Sequence, residues 1–351
     1  MDGYALRSSD ITDQKRTLEI AGTSWAGKPF QGEIPTGKCV RIFTGAVVPI
    51  KLDSVVMQEK VERHDSLVSF PHPITQGNNI RLPGEDIRKG EQLLQLGKQL
   101  TPADLGTIAS MGISEIRIKQ KLRVAFFSTG DELRSIGEQL NEGDIYDSNR
   151  YSLYGMLKRL NVELLDMGVI PDDRQAVEAA FLVAAENADA IITSGGVSVG
   201  EADFVKETLE KLGQVDLWKI AMKPGKPLAF GKINETAFFG LPGNPVSAMV
   251  TFYQVVRPAL LKMMGAENKK PLRIKAPCNQ AIKRAPGRLE FQRGIINRSD
   301  NGELTVTPLT GQASHILSSM SKADCFIVIP AECAEITAGE KVIIEPFDSI
   351  I

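Results

Sequence analysis

Strand and helix signals alternate through the middle of this sequence, from about residue 119 to 266, and this feature constrains the fold most strongly. The apolar run RVAFFST indicates a buried strand, and the pattern YSLYGMLKRL that follows it indicates a helix. The same order recurs as VELLDMGVI and DRQAVEAAFLVAAEN, and again as ADAIITSGG and ADFVKETLEKLG. Because such repeats are joined by right-handed crossovers, we predict a mainly parallel sheet with helices on both faces.

The segments on either side follow a different pattern and predict separate β-rich units. Short apolar runs between Gly and Pro turns, such as CVRIFTG, indicate an N-terminal β-rich domain at 1–85. Residues 86–118 predict a linker helix, capped by Thr101 with Pro102 in its first turn, and then a strand EIRIK. Runs such as CFIVIPA and KVIIEPF predict a small β-sandwich or β-barrel at 270–351. The fold class is therefore multidomain α/β plus β, with the α/β domain at 119–266.

Composition argues against several classes of protein. A formal net charge of -2 gives no broad positive field, which argues against nucleic-acid binding. No stretch approaches the roughly 18 to 20 apolar residues of a membrane span, and the N-terminus has no leader pattern, so we expect a cytoplasmic protein without a membrane partner. The four cysteines form no CxxC pair and only three histidines are present, so we expect isolated reduced thiols rather than a zinc site.

Four loops are expected at the carboxyl ends of the parallel strands, where open α/β sheets bind their ligands. They are STGDEL at 128–133, IYDSNR at 145–150, TSGGVSVGEAD at 193–203 and GLPGNP at 240–245. In the third, Ser194, Gly195 and Gly196 would let backbone amides approach a phosphate or a pterin, although a glycine after a strand is more often a simple turn.

Carboxylates and lysines in these loops suggest a site for anions and a metal ion. Asp131, Glu132, Asp172 and Asp203 are expected on one rim of the sheet and together suggest a Mg²⁺ site. Taken singly, Asp172 and Asp203 could cap helices, and Asp131 and Glu132 could be solvated loop charges.

Two stiff turns complete the predicted rim. KPGKP places Lys223 and Lys226 where both ammonium groups could converge on one oxyanion, the alternative being two solvated surface lysines. In GLPGNP, Pro242 and Pro245 stiffen a loop that ends with Asn244 as the predicted cap of a helix.

At these residues the sequence resembles the MoeA family, whose eukaryotic relative is the E domain of gephyrin. The matching motifs occur in order over residues 1 to 248: MDGYA, FTGA, DSVVMQE, RLPGEDI, STGDEL, YDSN, SGGVSVGEAD, MKPGKP and GLPGNPVSA. The resemblance implies a central MogA-like, three-layer α/β domain that binds molybdopterin, between an N-terminal β-rich domain and a C-terminal β-barrel-like domain. It also implies a homodimer. In family members, some dozens of residues that precede MDGYA contribute helices to the domain that pairs the two protomers.

The resemblance also implies roles for individual residues. The functional and metal-binding carboxylates fall on Glu132, Asp172 and Asp203, and the structured loop prolines on Pro242 and Pro245. Together with Ser194, Gly195, Gly196 and Asn244 from the loop patterns above, these prolines are the expected pterin contacts. Molybdate is expected at Lys223, Lys226, Arg288 and Ser314. Asp2, Thr44 and Asp86 of one protomer are expected to approach the α/β domain of the other.

The implied function is insertion of molybdate into adenylylated molybdopterin with release of AMP, assisted by Mg²⁺. The finished cofactor would pass to an apo-molybdoenzyme, and the substrate would come from a MogA-type partner. With no GxSxG elbow and no Cys–His pair in the sequence, positioning and electrostatics are expected to dominate catalysis. Two alternatives are adenylylation of the pterin itself, which the MogA-like fold also performs, and a non-catalytic pterin-binding scaffold.

Overall fold

The chain divides into two units, Met1–Leu93 and Leu94–Ile351. The computed structural model describes residues 1–195, 204–225, 227–267 and 270–347. Within these ranges, none of the helices has the length and apolar character needed to cross a membrane.

The first unit is a six-stranded sheet with the strand order β4-β1-β3-β2-β6-β5. Its strands are β1 Gly3–Leu6, β2 Thr17–Ser24, β3 Lys38–Ile42, β4 Ser54–Met57, β5 Glu62–His64 and β6 Leu67–Ser69. Apolar side chains cover both faces of the central strands, Tyr4 and Leu6 on one face and Ala5 and Val40 on the other. The predicted β-rich N-terminal region is thus confirmed.

The second unit begins with helix α1, Pro102–Ser110. The Thr101 side chain accepts a hydrogen bond from the Asp104 backbone N–H, and the Asp104 carboxylate accepts one from the Thr101 N–H, which forms a capping box. The predicted strand EIRIK is wrong, because residues 113–122 form no strand. Ile116 and Ile118 there are 41% and 75% exposed, so the alternating pattern has no apolar surface to cover.

Strands and helices then alternate as predicted. The strands are β7 Arg123–Thr129, β8 Leu133–Arg134, β9 Ile145–Tyr146, β10 Glu163–Ile170, β11 Ala190–Ser194, β12 Gly213–Lys219, β13 Met222–Lys223, β14 Pro227–Ile233 and β15 Thr236–Leu241. The helices are α2 Ser148–Arg159, α3 Arg174–Asn187, α4 Phe204–Leu212, α5 Pro245–Thr251 and α6 Arg257–Met263, with a π-helical turn Phe252–Val256 joining the last two. The main sheet has the order β10-β7-β11-β15-β14-β12. Its first four strands are parallel, and β14 runs antiparallel to both of its neighbours, β15 and β12, so the mainly parallel sheet is confirmed.

Helices cover both faces of this sheet because each presents an apolar stripe. Leu153 and Leu157 of α2 pack with Val246 of α5 on one face. On the other face, Phe181 of α3 packs with Leu209 of α4. Fully burying a side chain of this size contributes roughly 1.5 to 3 kcal/mol, so the two apolar stripes hold the three layers together.

The C-terminal region forms a second sheet of six strands. The elements of this region are β16 Ile274–Pro277, β17 Ile282–Lys283, β18 Leu289–Arg298, β19 Leu304–Pro308, α7 Ser318–Lys322, β20 Cys325–Ile329, β21 Glu335–Ile336 and β22 Lys341–Pro346. Strands β17 and β21 pair with each other in a separate two-stranded sheet. The order of the six-stranded sheet is β13-β18-β20-β22-β16, with β19 also paired to β18. Strand β13, which carries Lys223, therefore joins the C-terminal sheet although it lies between β12 and β14 in the sequence.

The two sheets of the second unit share one hydrophobic core. Phe291, Phe326 and Phe347 of the C-terminal region belong to the same buried cluster as Val246 and Phe252. The loops that follow the parallel strands are consequently held beside the C-terminal sheet.

Candidate functional site

The four parallel strands end at the same level. Ser128 in β7 is aligned with Ser194 in β11, Ser194 with Leu241 in β15, and Ile170 in β10 with Thr129. The segments that begin at Gly130, Pro171, Gly195 and Pro242 therefore leave the sheet along a single edge, which we call the rim. The expected placement of these loops on one edge follows from this register.

Gly195 lies at the centre of the rim, where no larger residue fits. Its φ of +89° is in the left-handed region, and a Cβ atom added there would lie 2.6 Å from the carbonyl oxygen of Thr129. Its N–H donates to the carbonyl of Leu241 across 3.2 Å. Gly196 lies outside the described residues, so the glycine loop is described only at Ser194 and Gly195.

Asn149, at the start of α2, ties two rim loops together. Its Nδ2 donates to Ser194 Oγ and to the Gly243 carbonyl, each across 2.7 Å, and the residue is 9% exposed. Buried oxygens of Ser128, Thr129 and Thr193 surround the strand ends, and like Asn149 Oδ1 they have no hydrogen-bond partner among the described residues. Such atoms are uncommon in a folded interior and mark the rim as a polar site.

Acidic residues follow β7 and β10 on the rim. The Asp172 N–H donates to Asp131 Oδ1 across 3.1 Å, which joins the two loops. Desolvation raises the pKa of the Asp172 carboxyl above its usual value, and the charges of Asp131 and Glu132 raise it further. The neighbouring Asp173 caps α3 by accepting from the Ala176 N–H. The rim therefore concentrates negative charge.

The predicted metal ligands are only partly described. Glu132 and Asp172 lie in this acidic group, whereas Asp203 falls outside the described residues. In the part of the chain that the structure describes, no three His, Cys, Asp or Glu side chains are arranged to hold a metal ion. A Mg²⁺ site would need ligands beyond Glu132 and Asp172.

The segment KPGKP at 223–227, which we call the lysine turn, is fixed between the two sheets. Lys223 is aligned with Glu290 of β18, and its Nζ lies 3.0 Å from Glu290 Oε1. Gly225 has a φ of +109°, and a Cβ there would lie 2.5 Å from Thr251 Oγ1 of α5, so the turn packs closely on this helix. Lys226 lies outside the described residues. The structure thus places Lys223, but with a carboxylate beside it.

The GLPGNP loop meets the C-terminal region at the start of α5. Pro245 is the first residue of α5 and Asn244 occupies the N-cap position, but the Asn244 side chain makes no capping hydrogen bond. The prediction of a side-chain cap is wrong, and the Val246 N–H, one of the two that such a cap could receive, donates to the Ser314 carbonyl across 3.0 Å. Ser314 is therefore brought to the loop that contains Pro242.

Arg288 lies beside the lysine turn. The N–H of the next residue, Leu289, donates to the Ala221 carbonyl across 2.9 Å. Among the described residues, the guanidinium of Arg288 has no hydrogen-bond or ion-pair partner. The structure thus brings Lys223, Arg288 and Ser314 to the junction of the two sheets.

Three predicted residues belong to the first unit. The N–H and hydroxyl of Thr44 donate to Asp2 Oδ1 across 3.0 and 3.1 Å, and these bonds lower the pKa of the Asp2 carboxyl. Asp86 is an exposed residue in a bend. Asp2 and Thr44 thus form one local pair.

Sequence reasoning missed Asn149 and Glu290 as residues of the site. Asn149 belongs to the quoted motif YDSN, so its presence after a strand was a usable signal. Glu290 lies in the strand LEFQRGIINR, where a buried acid beside apolar residues indicates a specific partner.

Comparison with known proteins agrees with this arrangement. Three family models match the chain: "MoeA N-terminal region (domain I and II)" over residues 1–112, "Probable molybdopterin binding domain" over 125–262, and "MoeA C-terminal region (domain IV)" over 275–347. The matched regions cover the rim, the lysine turn and the C-terminal sheet.

Individual relatives match over nearly the whole chain. The molybdopterin molybdenumtransferase of Haemophilus influenzae is 48% identical, with 100% of this chain and 87% of the relative covered. Gephyrin of Dictyostelium discoideum is 34% identical over 97% of this chain and 54% of its own length. A crystal structure of the molybdopterin biosynthesis moeA protein of Pyrococcus horikoshii OT3 matches with a TM-score of 0.84, at 29% identity, over 99% of this chain and 86% of that one. The chain therefore belongs to the MoeA family.

Proposed function

We propose that the protein is a molybdopterin molybdenumtransferase, which inserts molybdate into adenylylated molybdopterin and releases AMP. One observation carries the proposal: the loops after β7, β10, β11 and β15 share one edge of the parallel sheet, beside a lysine turn held by the C-terminal sheet. The name of the Haemophilus influenzae relative supports the same activity.

In this proposal, the glycine loop and the prolines of GLPGNP contact the pterin nucleotide. Gly195 leaves room for a close approach of the backbone, and Asn149 holds Ser194 and Gly243 in fixed positions. Rigid loops of this kind orient a substrate before reaction. Molybdate binds at Lys223, Lys226, Arg288 and Ser314, where cationic and hydroxyl groups donate to its oxygens.

We also propose a Mg²⁺ ion held by Glu132, Asp172 and Asp203. The raised pKa of Asp172 and the nearby charges of Asp131 and Glu132 support a cation there, since carboxylate oxygens are the ligands that Mg²⁺ prefers. Such an ion would neutralise the diphosphate of the nucleotide. In this proposal, Glu132 and Asp172 keep the Mg²⁺ ion at the edge of the sheet.

The proposal includes a homodimer, in which Asp2, Thr44 and Asp86 of one protomer serve the rim of the other. The two hydrogen bonds from Thr44, which lower the pKa of Asp2, support a carboxylate held in a fixed position. A cytoplasmic enzyme is supported by the four cysteines, all of which are free thiols. Light scattering on the purified protein measures the oligomeric state, and a monomeric mass would contradict the dimer.

A molybdopterin adenylyltransferase is the second candidate, favoured by the match of residues 125–262 to a molybdopterin-binding domain model. The lysine turn and its pairing with the C-terminal sheet favour molybdate insertion, because adenylylation of the pterin does not use molybdate as a substrate. The two are separated by supplying ATP and free molybdopterin. Formation of adenylylated molybdopterin from this mixture would favour the second candidate.

The first prediction tests the rim carboxylates. Replacing Glu132, Asp172 or Asp203 by Ala should reduce molybdate-dependent release of AMP from adenylylated molybdopterin about 100-fold or more, a typical loss when a charge-stabilising group is removed. Released AMP is measured by chromatography at several Mg²⁺ concentrations.

The matched control for this test is Asp173→Asn. It removes a neighbouring charge while Asn can still cap α3, so AMP release should stay within twofold of wild type. Unchanged turnover in all three alanine variants would overturn the assignment of the rim as the reaction site.

A further inference from the structure

Glu290 is a buried carboxylate with three partners. Its side chain is 4% exposed, and Oε1 lies 3.0 Å from Lys223 Nζ and accepts from Gln292 Nε2 across 3.1 Å. Oε2 lies 2.8 Å from Arg284 Nε, as an ion pair outside hydrogen-bond geometry. A carboxylate this deeply buried is tolerated only when it is paired, so these contacts fix its position.

Arg284 is held as firmly as Glu290. Its side chain is 3% exposed, and Nη1 donates to the carbonyls of Pro330 and Cys333 across 2.7 and 2.9 Å. Nη2 donates to the carbonyl of Arg288. Arg284 therefore joins Glu290 to the backbone of Arg288, and a continuous chain of contacts runs from Arg288 to Lys223.

The charges of the residues in this series of contacts sum to a positive value that a ligand can balance. The charge of Glu290 is balanced by Arg284, which is buried with it. Lys223 and Arg288 then keep one positive charge each. Lys223 is 46% exposed, and its ammonium has three N–H donors, so it can contact Glu290 and still donate to an anion. Together Glu290, Arg284, Lys223 and Arg288 carry a net charge of +2, which matches a dianion such as molybdate.

We propose that Glu290, neutralised by Arg284, is a positioning residue that holds the Lys223 ammonium in place for the oxyanion. This inference rests on the proposed function, since it takes the lysine turn as the molybdate site. Without Glu290, the flexible lysine side chain would have to be ordered by the anion itself, at a cost in conformational entropy.

A double-mutant cycle tests the inference, with variants Glu290→Gln, Lys223→Met and the double variant. Calorimetric titration with sodium molybdate gives the Kd, and AMP release gives KM and kcat. Glu290→Gln should raise the Kd and KM for molybdate about tenfold, with kcat within twofold of wild type. In the Lys223→Met background, the same change should have no further effect, because Glu290 acts through Lys223.

Glu345→Gln is the matched control. Glu345 is a buried carboxylate of the same sheet that accepts from Arg273 and Gln254 across 2.8 and 2.9 Å, and among the described residues it has no contact with Lys223. Its variant should lose stability and keep the wild-type Kd for molybdate. Should Glu290→Gln not fold, Glu290→Asp replaces it, since its shorter carboxylate should still weaken molybdate binding.

The outcomes separate the inference from the proposed function. Molybdate binding that depends on Glu290 without any AMP release would overturn the function and retain the positioning role. An unchanged Kd in Glu290→Gln, or an equal effect in the Lys223→Met background, would overturn the inference even if AMP is released. Failure of the wild-type protein to bind molybdate would overturn it as well.

Discussion

At the scale of single residues, Gly195 sets how closely β7 and β11 can approach at the rim. Its positive φ is one constraint, and the carbonyl of Thr129, 2.6 Å from any added Cβ, is another. The two constraints can be separated, because Gly143 has a similar φ of +92° and nothing within 4 Å of its Cβ position. The difference in unfolding free energy between an Ala substitution at Gly195 and one at Gly143 therefore measures the effect of the close approach alone.

We predict that Gly195→Ala lowers the free energy of unfolding more than Gly143→Ala does. The control substitution should cost roughly 1 to 2 kcal/mol, the usual strain of a left-handed Ala. Gly195→Ala should cost at least about 1 kcal/mol more, since backbone must shift to relieve the contact. Urea unfolding of both variants measures the difference, and equal losses would show that the contact with Thr129 relaxes freely.

Residue patterns predicted the rim well and its cationic partners poorly. Gly195 directly follows β11, Asp172 lies in the short loop between β10 and α3, and Pro245 begins α5, so their positions follow from local sequence once the parallel sheet is recognised. The pairing of Lys223 with Glu290 depends on the register between β13 and β18, which are far apart in the chain. Asn244 fails as a cap for the same reason, because the Ser314 carbonyl that replaces it comes from a distant loop.

At the scale of elements, the stability of α1 depends on the hydrogen bonds of its first turn. Asp104 receives hydrogen bonds from Lys98 and Thr101, which lower the pKa of its carboxyl from the usual 3.8 to about 2. A carboxyl whose pKa is lower in the folded state than in the unfolded state stabilises the fold above its unfolded pKa. That contribution is lost as the pH falls from about 4 to about 2.

We therefore predict a pH-dependent effect of Asp104→Asn. At pH 7 the variant should be less stable than wild type, because Asn keeps the cap but loses the attraction to Lys98. The difference should shrink as the pH falls below 4 and should vanish below about pH 2. Thermal unfolding across this range measures it, and a difference that stays constant with pH would show that Asp104 acts without its charge.

The strand predicted at EIRIK shows the limit of pattern at this scale. Alternating Ile116 and Ile118 favour a strand, but a strand also needs a neighbour to accept its backbone hydrogen bonds. The preceding helix was predictable, because Thr101 and Pro102 carry a cap signal that depends on adjacent residues alone.

At the scale of the whole second unit, the shared cluster of Phe291, Phe326 and Phe347 with Val246 and Phe252 links the two sheets. Phe326 is fully buried and packs edge to face against the other two C-terminal rings, at centroid distances of 5.8 and 4.8 Å. The start of α5, which carries the GLPGNP loop, rests on this cluster. The stability of the rim should therefore depend on the C-terminal sheet.

We predict that Phe326→Ala destabilises both sheets together. It should lower the free energy of unfolding by about 3 to 5 kcal/mol, as expected for an emptied aromatic site. Hydrogen-exchange protection should fall in α5 as well as in β20. The control is Phe230→Ala, at a ring 43% exposed, which should cost less than half as much. Loss of protection confined to β20 would indicate that the sheets unfold independently.

The position of β13 has a consequence for exchanging segments between relatives. Its two residues pair with β18 of the C-terminal sheet, although they lie upstream of the strands and helices that complete the α/β layers. A hybrid protein spliced after α6 would combine the lysine turn of one parent with the supporting strand of the other. Hybrids should keep the native affinity for oxyanions only when residues 221–225 and 284–292 descend from the same parent.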